Sequence, residues 1–288
     1  MRISTFLYKT PLSLGALVTT FSAIMVTRLT MESWMNRFAP RSGTFYITET
    51  LHTMLFFATL FVICALLMRA ITHTRTRTVA LALLAGFLLA IFPPILDAGI
   101  AHWFYNGDPF WSYALFDDVM GLWHSYLTFF GDNPTSGITY VTRIMIACAI
   151  CGIGGYVWYT TRTVWRALFI MIIVYIVCFV MSALPSLLTM LLHDTHLHTQ
   201  SADVAGFIAS PTTILTTPIT DITAAGNLKM SLVYALTLPF LILGAWWRVR
   251  PAQLRSLLRN IRPVQTLYHV GLLAVGMILA WYFTDTTV

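Results

Sequence analysis

Residues 78–142 read TVALALLAGFLLAIFPPILDAGIAHWFYNGDPFWSYALFDDVMGLWHSYLTFFGDNPTSGITYVT and contain no lysine or arginine, although Arg77 precedes them and Arg143 follows. The stretch carries aspartates at five positions, Asp97, Asp108, Asp117, Asp118 and Asp132. Cytoplasmic loops of membrane proteins collect Lys and Arg, whereas translocated loops do not. An acidic, base-free segment between basic residues therefore predicts an outward-facing surface, and it orients the rest of the chain.

The composition is that of a membrane protein. Hydrophobic residues make up 58%, charged residues only 10%, and the mean hydropathy is +0.76, against about 25% charged residues in an ordinary soluble domain. The net charge of +6 comes from arginines in short clusters between apolar runs, which is typical of loops at anionic lipid and argues against a nucleic-acid partner. All four cysteines lie in apolar runs, so we expect no structural disulfide.

A helix needs about 20 apolar residues to cross the bilayer. The hydropathy pattern predicts an all-α helical bundle, a single integral membrane domain over 1–288 with about seven transmembrane helices. Their predicted extents are 10–27, 47–69, 78–102, 137–159, 164–193, 228–247 and 268–283. Every second connection is basic, which predicts an N-terminus inside and a C-terminus outside a bacterial plasma membrane. Arg28, Arg37 and Arg41 are exceptions, because they fall in a connection that should face outward.

The longest connections carry predicted structure of their own. The outer loops are 103–136 and 194–227, and in the first of them polar residues recur at three- and four-residue steps over 109–130, which predicts an amphipathic helix along the outer interface. In 203–222 two prolines favour short re-entrant or capping pieces. On the cytoplasmic side, 251–263 predicts a basic interfacial helix whose Arg255, Arg259 and Arg262 contact lipid headgroups.

Asp97 and Arg143 are charges inside predicted spans. Each lies a few residues from the outer end of its span, at similar depth, and a charge in the bilayer seeks the bundle interior and a partner. The two can pair, either in a buried ion pair that locks two helices or beside a substrate path. Pro93 and Pro94 free backbone carbonyls near Asp97, which favours a hydrated pocket there.

Histidines and carboxylates crowd the predicted outer face. Glu49 and His52 are three residues apart on one helix face, a spacing that suits a metal site. His196 and His198, with His193 nearby, could ligate zinc. The alternative is a solvated, metal-free interfacial segment.

Cys148 and Cys151 form a Cys-x-x-Cys deep within the fourth span. Desolvation disfavours thiolates at that depth. We therefore interpret this segment, with Gly152, Gly154 and Gly155, as small residues for close helix packing in preference to a redox pair.

Residues 257–276 read LLRNIRPVQTLYHVGLLAVG and resemble the basic, Arg-Pro-containing entry into the first membrane helix of UbiA-type prenyltransferases. That family holds magnesium and an allylic diphosphate with aspartates four apart, and no two aspartates here have that spacing. The resemblance therefore implies a companion or a detached leading module for such an enzyme and not the catalytic protein.

Three functions remain open at this level. The first is a non-enzymatic membrane subunit or binding component whose outer face contacts lipid, quinone, a partner membrane protein or a second copy, through Trp111, Asp117, Asp118, Trp123 and His124. The second is a small-molecule or ion transporter that uses Asp97 and Arg143, with the proline-broken spans as gates. The third is a metal-assisted enzyme acting on a lipid-linked substrate at the outer leaflet, using the outer aspartates and histidines. No catalytic motif favours the third.

Overall fold

The structure is a computed structural model that describes residues 13–35, 43–104, 113, 116, 119–131, 138–192, 213–214, 217–218, 222–249, 251–252 and 256. Its helices are α1 (Leu14–Met35), α2 (Gly43–Thr72), α3 (Thr76–Phe87), α4 (Phe92–Phe104), α5 (Val119–Leu127), α6 (Tyr140–Thr161), α7 (Val164–Ser182), α8 (Leu184–Leu192) and α9 (Ile222–Val249). A 3₁₀ turn, Leu88–Ile91, joins α3 to α4. Two short strands, β1 (Thr213–Ile214) and β2 (Thr217–Pro218), pair antiparallel.

The fold is a helical bundle, as the sequence predicts. Within the described residues, six helical segments are long and apolar enough to cross a membrane, and they extend over Leu14–Trp34, Tyr46–Thr72, Thr76–Asp97, Tyr140–Thr161, Val164–Ser182 and Ala224–Arg248. Each matches one of the first six predicted spans. The predicted seventh span, 268–283, lies outside the described residues.

Many large apolar side chains lie on the outside of the bundle. Trp165 is 79% exposed, Leu14 76% and Phe240 73%. Water would disfavour such a surface, whereas lipid tails solvate it, since they are as apolar as leucine. The exposed surface and the six apolar helices together are those of a multi-pass membrane protein.

Helices α2 and α9 form the most extensive contact in the bundle. They run parallel, because Asn227 near the start of α9 bonds Glu49 near the start of α2, while Arg248 near the end of α9 shares a cavity with Arg69 near the end of α2. We call the end of the bundle that holds Glu49 and Asp97 the acidic end. The end that holds Arg69 and Arg248 is the basic end.

Helix α1 extends further than the sequence predicts. It reaches Met35, whereas the predicted span ends at residue 27, so Arg28 and Glu32 lie in a helix and not in an outer connection. The prediction was wrong because both charges are compensated inside the bundle. Arg28 and Glu32 form an ion pair one helical turn apart, with 3.6 Å between Nη2 and Oε2.

Helix α5 occupies part of the segment predicted as an outer amphipathic helix. It begins at Val119, and Tyr113 and Phe116 lie outside any helix. Residues 105–112, 114–115 and 117–118 lie outside the described residues. Leu122 and Tyr126 of α5 pack against the main hydrophobic core.

Candidate functional site

Two proline breaks at the acidic end determine where polar side chains enter the bundle. A residue in an α-helix donates its N–H to the carbonyl four residues earlier, and proline has no N–H to donate. Pro94 therefore leaves the carbonyl of Ala90 without its helical donor. Nη1 of Arg28 donates to that oxygen at 3.2 Å, so a side chain of α1 takes the place of the missing backbone donor.

The second break repeats this arrangement. Pro185, at the start of α8, leaves the carbonyl of Met181 without a helical donor. The hydroxyl of Tyr234, from α9, donates to it at 3.4 Å. Met181 and Tyr234 are both buried, so this contact also compensates a backbone polar group where the surroundings are apolar.

Arg28 lies among three carboxylates. It is ion-paired with Glu32, and it is close enough to Glu49 and Asp97 to interact with both electrostatically. Its guanidinium carbon lies 4.9 Å from the centre of the Phe57 ring, which adds a cation–π contact. Nε of Arg28 and Oε2 of Glu32 are buried without a hydrogen-bond partner among the described residues. One cation therefore faces three groups that carry negative charge when ionised.

Glu49 connects this charged group to the contact between α2 and α9. Its Oε2 accepts a hydrogen bond from Nδ2 of Asn227 at 2.5 Å, and its Oε1 accepts one from Oγ1 of Thr53 at 3.2 Å. Ser231, one turn after Asn227, is buried on the same helix. These contacts fix the carboxylate in one orientation.

His52 begins a chain of hydrogen bonds next to Glu49. Its Nε2 is bonded to the hydroxyl of Tyr113, and that hydroxyl lies 3.4 Å from the hydroxyl of Tyr234. If His52 donates from Nε2, each tyrosine can donate onward, and the chain ends at the Met181 carbonyl. Burial raises the pKa of the Tyr113 phenol well above its usual value, so this hydroxyl keeps its proton.

Nδ1 of His52 is the unsatisfied atom of this chain. It is buried and has no hydrogen-bond partner among the described residues, while the residue as a whole is only 5% exposed. When Nε2 carries the ring proton and donates to Tyr113, Nδ1 has a free lone pair. In the other tautomer Nδ1 carries the proton and has no acceptor for it among the described residues. Either state can accept or donate one further hydrogen bond.

Asp97 and Arg143 do not form the predicted pair. Oδ2 of Asp97 accepts a hydrogen bond from Oγ1 of Thr139 at 2.8 Å, and Thr139 is the N-cap of α6, where it accepts from the backbone N–H of Thr142. The prediction placed the two charges at similar depth. Depth in the membrane does not determine the direction in which a side chain leaves its helix. Asp97 therefore bonds Thr139, the N-cap of α6, and not Arg143.

Arg143 binds backbone carbonyls of the connection that precedes its own helix. Nε donates to Ile138 O at 2.8 Å and Nη2 to Phe130 O at 3.0 Å, and Nη1 donates to Gly131 O. Phe130 and Gly131 have φ values of 77° and 83°, in the left-handed region where a side chain is strained. The buried guanidinium thus holds the turn after α5 in place.

The predicted metal ligands are not brought together. Glu49 and His52 have the separate partners given above, and among the described residues no group of three or more His, Cys, Asp or Glu side chains is placed to hold a metal ion. His193, His196 and His198 lie outside the described residues, so the predicted zinc site there stays a prediction.

The predicted outer contact residues are described only in part. Trp123 is 55% exposed and meets the Tyr126 ring edge-on, with 5.9 Å between the ring centres. His124 is exposed on the same helix. Trp111, Asp117 and Asp118 lie outside the described residues, as do the predicted headgroup ligands Arg255, Arg259 and Arg262 and the prenyltransferase-like segment 257–276.

The small residues of α6 pack closely at one position. A methyl group on Gly154 would lie 2.5 Å from both Cγ and Sδ of Met171 in α7. Gly152 and Gly155 have open space around them, and Cys148 and Cys151 are exposed. Close helix packing is therefore confirmed for Gly154. Gly152, Gly155 and the two cysteines lie on the other face of the helix, where they pack against no other helix of the described residues.

Sequence reasoning missed Arg28, Tyr113, Asn227 and Tyr234 as members of the site. One signal was available: Pro94 and Pro185 each imply a carbonyl that needs a donor from elsewhere in the bundle. Comparison with models of known protein families, with curated proteins and with solved structures found no match.

Proposed function

We propose that the protein is a small-molecule or ion transporter of a bacterial plasma membrane, with the carboxylates of Glu32, Glu49 and Asp97 as its cation-binding or proton-binding site. The basic end faces the cytoplasm, as the distribution of arginines favours. The observation that carries the proposal is that, among the described residues, the carboxylates of Glu32, Glu49 and Asp97 surround the guanidinium of Arg28 inside a bundle of apolar helices.

The argument rests on the dielectric properties of the bilayer. Ionisable residues within membrane helices are costly and mark ion or substrate paths. Among the described residues, Arg28 is the cation that acts on all three carboxylates, and it can neutralise one of them. A low-dielectric interior disfavours the other two as ions unless protons or a bound cation balance their charge. A purely structural ion pair needs one carboxylate for one arginine. The additional acidic groups therefore favour a site that exchanges a cation with its surroundings.

The test compares the purified chain with its Glu49→Gln variant by thermal unfolding in neutral detergent. NaCl, KCl, MgCl₂ and guanidinium chloride are titrated at constant ionic strength against N-methyl-glucamine chloride, and the series is repeated between pH 5 and pH 8. We expect at least one cation, or lowered pH, to raise the Tm of the wild-type chain. Glu49→Gln, which keeps the side-chain volume and one of the two acceptor oxygens, should lose that response. Without ligand its stability should fall by no more than the loss of one hydrogen bond, about 1–3 kcal/mol.

A structural role for Glu49 gives the opposite result. Leaving a buried charge without its partner destabilises by about 3–5 kcal/mol, so a fall of that size in the stability of Glu49→Gln would count against the proposal, as would equal responses of both proteins to every cation and pH. Cys148→Ser, at an exposed position of α6, serves as the control.

A second experiment measures transport. Uptake into proteoliposomes of the cation that raises the Tm, or of protons, should be lost in Asp97→Asn while membrane insertion stays normal.

A second candidate function has its own supporting observation. Met120, Trp123 and Leu127 form an exposed apolar face on α5, at 75%, 55% and 77% exposure, while the opposite face packs on the core. Such a helix suits a binding component that contacts lipid, quinone or a partner protein at the membrane interface. Loss of lipid or partner co-purification in Trp123→Ala, with uptake unchanged, would favour this role over transport.

A further inference from the structure

A cavity of about 370 Å³ opens at the basic end, far from the carboxylates. Its polar lining comes from three segments: Arg69 at the end of α2, the connection of His73, Thr74 and Arg75, and Arg248 at the end of α9. Ala70 contributes to the apolar part of the wall. The lining of the cavity therefore includes three arginines from separate segments of the chain.

The connection that lines the cavity is held in a defined conformation. His73 has a φ of 53° and its N–H bonds the carbonyl of Arg69 at 2.9 Å, which ends α2. The hydroxyls of Thr72 and Thr74 are 2.8 Å apart, and Thr74 also lies 3.5 Å from the hydroxyl of Tyr156 in α6. The cavity is therefore built by packing and hydrogen bonds and not by a freely moving loop.

The arginines that line the cavity have no acidic partner in the part of the chain that the structure describes. Among the described residues, Arg75 and Arg248 form no ion pair, and Arg69 uses one of its nitrogen atoms to bond Oγ1 of Thr76. The sequence has no Asp or Glu over 50–96, which contains the cavity segments of α2 and its connection, and none over 222–284, which contains α9. These segments therefore supply no carboxylate to balance the arginines, which leaves them available to an anionic ligand.

We propose that this cavity binds a phosphate group, carried either by a phospholipid headgroup or by a soluble phosphate. Arginine presents a planar fork of donors that matches phosphate oxygens. Arg69 and Arg248 lie at the ends of two membrane-spanning segments, at the level where phospholipid phosphates lie. The proposal is independent of the cation site, because the two sites occupy opposite ends of α2 and α9.

The experiment measures binding to the full chain in neutral detergent by native mass spectrometry. The probes are short-chain phosphatidic acid, short-chain phosphatidylcholine and inorganic phosphate. Arg248→Gln should weaken binding of the phosphate-bearing probe about tenfold or more. Arg166→Gln is the matched control, because it removes an exposed arginine from the start of α7, outside the cavity, and it should change the Kd less than twofold.

Ala70→Trp separates a built cavity from diffuse charge attraction. It fills the space and leaves every arginine in place, so it should weaken binding as much as Arg248→Gln does. Binding of phosphatidic acid without inorganic phosphate assigns the site to a lipid headgroup, and binding of both assigns it to phosphate in general. Equal weakening by Arg248→Gln and Arg166→Gln, wild-type affinity of Ala70→Trp, or no binding of any probe to the wild-type chain would each overturn the proposal.

Discussion

Replacing Arg143 by methionine should release the turn that follows α5. The side chain donates to the carbonyls of Phe130, Gly131 and Ile138, and the residue is 8% exposed. A hydrogen bond from a charged donor contributes about 1.5–3 kcal/mol. Simple addition over three bonds overstates the loss, because the carbonyls can reach water once the turn opens. We therefore expect a loss of about 3–4 kcal/mol in the local free energy of opening.

Hydrogen exchange measures this loss directly. At about 1.4 kcal/mol for each factor of ten, amides in 119–131 should exchange about 100-fold to 1000-fold faster in Arg143→Met than in the wild-type chain. Peptides from α2 and α9 should exchange as before. Arg166→Met, which removes an exposed arginine, is the control and should leave both regions unchanged.

Asp97→Asn distinguishes carbonyl binding from an ion pair as the role of Arg143. If an Asp97–Arg143 pair held the turn, Asp97→Asn would accelerate exchange in 119–131 as strongly as Arg143→Met does. We expect Asp97→Asn to leave that segment protected. Unchanged exchange of 119–131 in Arg143→Met, in a protein that still elutes as a single folded species, would refute the reasoning.

Further changes test the packing and the hydrogen-bond chain. Gly154→Leu should lower stability by about 1–3 kcal/mol through overpacking against Met171, seen as a lower Tm, whereas Gly155→Leu, in open space, should not; similar values for the two would contradict the close contact. Tyr234→Phe should cost about 1–2 kcal/mol by leaving the Met181 carbonyl unsatisfied, and an unchanged Tm would show that this oxygen finds another donor. Trp123→Ala should leave the Tm unchanged and weaken retention of lipid through purification, because the ring is largely exposed; lipid retention equal to that of the wild-type chain would argue against a lipid contact.

Hydropathy predicts the helical spans because the bilayer imposes the same length and polarity on each of them. The first six predicted spans therefore match the six apolar segments of the structure. The end of α1 was missed because a window of hydropathy treats Arg28 and Glu32 as loop residues. The two side chains are buried because they pair with each other and because Arg28 donates a hydrogen bond to the carbonyl of Ala90. Ala90 lies 62 residues further along the chain, so a hydropathy window cannot include it.

The members of the candidate site were harder to predict, since depth in the membrane can be estimated from the sequence but direction around the helix axis cannot. Glu49 and His52 were recognised as candidates, but their partners Asn227 and Tyr113 come from a distant helix and from a connection. Asp97 and Arg143 both lie in apolar segments and have different partners. A long-range contact between helices is specified by the packing of the whole bundle, which a single sequence does not display.

The two proline breaks explain why one part of the acidic end accumulates charge while the other stays neutral. An unsatisfied carbonyl is costly inside a membrane protein, where no bulk water can reach it, so each break needs a donor. At Ala90 the donor is Arg28, whose own charge then needs carboxylates. At Met181 the donor is Tyr234, which brings no charge, and the chain leads back through Tyr113 to the ring of His52. Glu49→Gln should therefore change the response to cations, whereas Tyr234→Phe should lower stability and leave that response intact. If both variants changed the cation response equally, the two breaks would belong to a single charged site and this division would be wrong.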